Sequence, residues 1–101
     1  MSYNQLTDQQ EELLALVIEE CSEVIKAATK ILRHGCVTEW GGHDYDNRTE
    51  LEREMADVYV MIKALIKTDF VSHQRIVSHV AHKRATVHRW THTLNAEDFQ
   101  V

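Results

Sequence analysis

The chain has 101 residues, 44% of them hydrophobic, no proline, and a formal net charge of −5. That length suits one domain with a modest core, here residues 1–101. The acidic balance argues against a general nucleic-acid binder, whose phosphate contacts need a basic surface. No run is apolar enough to span a membrane, and no charged-then-apolar start marks a signal peptide, so a soluble cytoplasmic protein is expected. Cys21 and Cys36 are too few for a disulfide framework and read as reduced thiols.

Thr7 with Gln10 three residues on forms a capping-box pattern for a first helix. Leu13, Leu14, Leu16, Val17, Ile18, Cys21, Val24, Ile25, Ala28, Ile31 and Leu32 then recur over an arc of about 200° on a helical wheel. An arc that wide implies burial against more than one neighbour. This helix is expected to end near Arg33-His34, with Gly35 just beyond it. A polar loop over 35–48 carries Trp40, Gly41, Gly42, His43 and Tyr45. Thr49 with Glu52, or Asn47 with Glu50, can cap a second helix whose buried face is Leu51, Met55, Val58, Tyr59, Met61, Ile62, Leu65 and Ile66. A break near Thr68-Asp69 leads to a third helix from about Ser72 to Trp90. The last ten residues read as a short fourth helix or a docked tail.

Two acidic motifs interrupt the apolar faces: Glu20-Cys-Ser-Glu23 on the first helix and Glu54-Met-Ala-Asp57 on the second. Residues three apart on a helix share a face, so each motif is a forked pair of carboxylates. Burying such groups is costly unless a cation compensates them. Two forks facing each other make an oxygen-rich site whose hard ligands favour magnesium, with manganese as the alternative. A divalent ion there would remove the mutual repulsion, attract a polyphosphate and lower the pKa of a bound water. The plain alternative is a pair of interhelical salt bridges, and the same phase on two successive helices argues against it.

The set Glu20-x-x-Glu23 and Glu54-x-x-Asp57 resembles the all-α nucleoside triphosphate pyrophosphohydrolases of the MazG type. The flanks agree, with Glu-Glu-Cys-Ser-Glu-Val-Ile-Lys-Ala from Glu19 and Leu-Glu-Arg-Glu-Met-Ala-Asp-Val from Leu51. The likeness covers roughly residues 10–90, and the chain is similar in particular to small single-domain members, including those of bacteriophages. It implies an all-α antiparallel helical bundle completed by dimerisation, as a homodimer or homotetramer. It also implies Mg²⁺ held by Glu20, Glu23, Glu54 and Asp57, and hydrolysis of a (d)NTP between the α- and β-phosphates to (d)NMP and pyrophosphate. Two departures stand out. Thirty residues separate Glu23 from Glu54, more than is usual. Lys83 matches a lysine many relatives carry on a later helix, but Val87 stands where they have asparagine and Arg89 is one place short of their arginine.

A metal-bound polyphosphate needs further cations. Lys26, Lys30 and Arg33 follow the first motif, and Lys83, Arg84 and Arg89 lie on the third helix; Lys30, Arg33, Lys83 and Arg84 are taken as substrate-binding. Trp40, between glycines, is the candidate for stacking on a base. His79, His82, His88 and His92 have zinc-compatible spacings but no thiolate or carboxylate near them in sequence, and read as surface histidines. No Gly-x-x-x-x-Gly-Lys loop is present, which argues against a P-loop enzyme. The competing readings are a metal- and nucleotide-binding module without turnover and a purely structural helical dimer.

Overall fold

The computed structural model describes residues 3–37 and 46–100, and every regular element among them is helical. The helices are α1 (Asp8–His34), α2 (Asn47–Lys67) and α3 (His73–Thr86), followed by single 3-10 turns at Val87–Trp90 and Ala96–Phe99. The chain forms two compact units, Met1–Phe70 and Val71–Val101. No described helix is long and apolar enough to cross a membrane.

The first unit is α1 packed on α2. The capping box at the start of α1 is formed: the Thr7 hydroxyl accepts the Gln10 N–H at 3.1 Å, and the Gln10 side-chain oxygen accepts the Thr7 N–H at 3.0 Å. Gly35 ends the helix at φ +79°, donating its N–H to the Ile31 carbonyl at 2.8 Å. An L side chain would be strained at that φ, which is why glycine stands there.

The cap of α2 differs from either expected one. Asp46 is the N-cap, and its Oδ1 accepts both the Thr49 N–H at 2.8 Å and the Thr49 hydroxyl at 3.0 Å. These bonds favour the ionised carboxylate and hold Asp46 below its usual range. Asn47 is therefore the first helical residue and not a cap. It is buried, with 2% of its surface exposed.

Asp69 adopts φ +61° after α2, with Asp69 N–H to Ile66 O at 3.0 Å and Phe70 N–H to Leu65 O at 3.1 Å. That pairing is a Schellman motif with aspartate in the left-handed position.

The apolar centre of this unit is small. Among the described residues only Ala27 and Leu65 are buried hydrophobics. Ala27 falls inside the apolar arc, between the directions of Leu16 and Leu13, and its short side chain suits a place between two helices. Ile18, Ile25 and Leu32, seven apart on α1, are instead 70%, 67% and 88% exposed.

The second unit begins with Ser72 as N-cap of α3, its hydroxyl accepting the Arg75 N–H at 3.2 Å. The α-helix stops at Thr86, short of the expected Trp90, and tightens into the first 3-10 turn. The Thr91 hydroxyl lies 2.7 Å from the Leu94 carbonyl. The tail holds one short helical turn and lies against α3. Asn95 accepts the Glu97 N–H at 3.0 Å while Asp98 accepts the Asn95 N–H at 2.9 Å, forming a one-turn helix. Asp98 and Phe99 line an open pocket of about 370 Å³ with Val80, Lys83, Arg84 and Val87.

Candidate metal centre

Pairing along α1 and α2 fixes their relative direction. Glu20 meets Glu54 and Asp57, whereas Lys30, further along α1, meets Glu50, further back on α2. The helices are antiparallel, and both acidic motifs fall on the shared flank.

Carboxylate oxygens of Glu20, Glu54 and Asp57 lie within 4.8 Å of one another. Glu20 and Glu54 are half-buried and Asp57 is exposed. Two ligands on one magnesium ion lie at most about 4.2 Å apart, so this spread is close to a bound arrangement. The donors are all hard oxygens, with no thiolate or imidazole in the set. Glu23 is half-buried beside the three, outside that distance limit but close enough to act on Glu20 and Glu54 electrostatically.

The electrostatics are those of anions crowded together. Loss of solvent raises the Glu20 pKa first, and the charges of Asp57, Glu19, Glu54 and Glu23 raise it further. Glu54 is raised in the same way by loss of solvent, then by Asp57, Glu23 and Glu50, with Lys26 pulling the other way. A divalent cation among these oxygens would relieve every one of the repulsions.

Of the other residues singled out from sequence, Lys30 and Arg33 line one cleft on α1 with Lys26, Thr29 and His34. Lys30 is paired with Glu50 at 3.0 Å. Lys83 and Arg84 lie on α3 in the second unit, and the Arg84 Nε is buried with no partner among the described residues. Trp40 lies outside the described residues. The His79, His82, His88 and His92 spacing produces no metal-binding group among the described residues, and Cys21 and Cys36 are unbridged.

Sequence reasoning underrated Lys26, which stands three residues after Glu23 and acts on Glu54 across the helix pair. Its helical spacing from Glu23 was the available signal.

No family model, curated protein or solved structure matches the chain.

Proposed function

We propose that the protein is a magnesium-dependent nucleoside triphosphate pyrophosphohydrolase of the MazG type. The observation that carries this reading is the convergence of Glu20 from α1 with Glu54 and Asp57 from α2. In it, Glu20, Glu54 and Asp57 hold the ion, with Glu23 completing the acidic set. A bound magnesium would offset phosphate charge and acidify a water for attack on phosphorus. Water adds to phosphorus, the bridge between the α- and β-phosphates breaks, and the products are a nucleoside monophosphate and pyrophosphate. Fixing the acids on two packed helices prepares their positions before substrate arrives.

The same proposal has a second copy of the chain completing the bundle. A two-helix unit with Ala27 and Leu65 as its buried hydrophobics leaves much apolar surface in water. Cys21, Val24, Ile25, Met55, Val58, Tyr59 and Ile62 line an apolar groove of about 420 Å³. A like surface on a partner copy fits such a groove through two-fold symmetry.

The test is a turnover screen over canonical and modified NTPs and dNTPs with magnesium, resolving pyrophosphate from orthophosphate, with Glu54→Gln as control. Monophosphate plus pyrophosphate, abolished in the control, is expected. Orthophosphate alone would mean a different bond and a different family. Magnesium binding without any product would leave a nucleotide-binding module.

A further inference from the structure

We propose that the cleft lined by Lys26, Thr29, Lys30, Arg33 and His34 binds the terminal phosphates of the substrate, the part that leaves as pyrophosphate. This inference rests on the hydrolase reading above.

The cleft is an open surface depression of about 410 Å³ along the last two to three turns of α1; its five lining residues are all exposed and none is acidic. Lys26 lies six residues beyond Glu20, about 9 Å along the helix axis, and Arg33 lies two turns further. Lys26 also acts on Glu54, so the cationic cleft begins where the carboxylates end. A linear polyanion reaching from the acidic set would have its far end among these cations.

Cations near a helix C-terminus commonly offset the dipole, which amounts to about half an elementary charge. Of the permanent cations Lys26, Lys30 and Arg33, only Arg33 stands in the last turn of α1, where the dipole acts. Glu50 compensates one of them by its 3.0 Å bond to Lys30. Positive charge therefore remains beyond what the dipole accounts for, and among the described residues neither Lys26 nor Arg33 has an ion-pair partner.

The side chains divide the work by chemistry. Arg33 presents a planar fork suited to two phosphate oxygens, and Lys26 a point charge. The Thr29 hydroxyl donates to the Ile25 carbonyl at 2.7 Å, so it forms a wall and gives no proton to the ligand. Lys30 is partly committed to Glu50, which makes Glu50 a competitor for the same cation.

The experiment uses the full chain and inorganic pyrophosphate, titrated by calorimetry in the presence of a chelator, alongside KM for the best triphosphate with magnesium. Lys26→Gln and Arg33→Gln are expected to weaken pyrophosphate about tenfold each and to raise KM by a similar factor. Glu50→Gln is expected to tighten pyrophosphate, and Arg75→Gln, an equal loss of charge in the other unit, to change nothing. Absence of pyrophosphate binding, or equal weakening by Arg75→Gln, overturns the proposal. So does a change in pyrophosphate affinity with KM unmoved, which would make the cleft a site for free pyrophosphate alone. If turnover persists while these variants have no effect, the cleft inference fails and the hydrolase reading stands. If no triphosphate is turned over, the hydrolase reading fails, and the cleft goes with it as a substrate subsite.

Discussion

Asn47 donates its side-chain amide to the carbonyl oxygen of Gly35 at 2.9 Å, and its own N–H reaches the Cys36 carbonyl at 2.8 Å. One buried residue at the start of α2 thus satisfies two carbonyls just past the end of α1. These bonds tie together the two ends of the intervening loop, and they sit at one end of the antiparallel pair that carries the acids. Asn47→Ala leaves the Gly35 carbonyl without this donor and is expected to cost about 1–3 kcal/mol. Urea denaturation measures that loss. A change within ±0.5 kcal/mol, typical of a surface substitution, would show that the tie does not hold the helices together.

The acidic set has its own pH signature when divalent ions are absent. Glu20 and Glu54 both sit above their usual 4.5, through loss of solvent first and neighbouring carboxylates second. The folded state therefore holds these protons more tightly than the unfolded chain. The resulting stabilisation is fully present below pH 4.5 and is lost as pH rises through the raised folded values. In chelator at pH 7, Glu54→Gln is expected to melt at higher temperature than the parent, with the gap closing toward pH 4. Thermal melts across that range decide it. A variant less stable than the parent at pH 7 would mean the carboxylates are held by attraction rather than crowded by repulsion.

The exposed flank of the first unit gives the assembly prediction. Ile25, 67% exposed, borders the apolar groove with Met55 and Tyr59. Ile25→Glu places a charge on that face without touching the buried Ala27 and Leu65. Light scattering is expected to show the parent at a multiple of 11.7 kDa and the variant at 11.7 kDa itself. A parent that is monomeric at micromolar concentration would remove the second copy from the account.

Much of the first unit was legible from sequence because its signals are local. The Thr7–Gln10 capping box and the terminating Gly35 stand where the pattern put them. The facing of Glu20 toward Glu54 followed from helical phase, since each acid interrupts an apolar arc at the same place. The α2 cap was missed because Asp46, Asn47 and Thr49 are all capping residue types within four positions, and only the fold shows which one meets the free N–H groups. Burial within the single chain is less than the width of the arc implies, for a different reason. A periodic arc containing Ile18, Ile25 and Leu32 records that the residues share a face, but it says nothing about what covers that face. The stop of α3 at Thr86 had no proline or glycine to mark it, so the 3-10 turn over Val87–Trp90 read as continuing helix.

Whether the two helical carboxylate pairs form one divalent-metal site is read out by magnesium titration of the full chain in a calorimeter. Saturable binding is expected, weakened at least about tenfold in both Glu20→Gln and Glu54→Gln, one change on each helix. No saturable binding in the parent, or binding unaffected by either substitution, would contradict it.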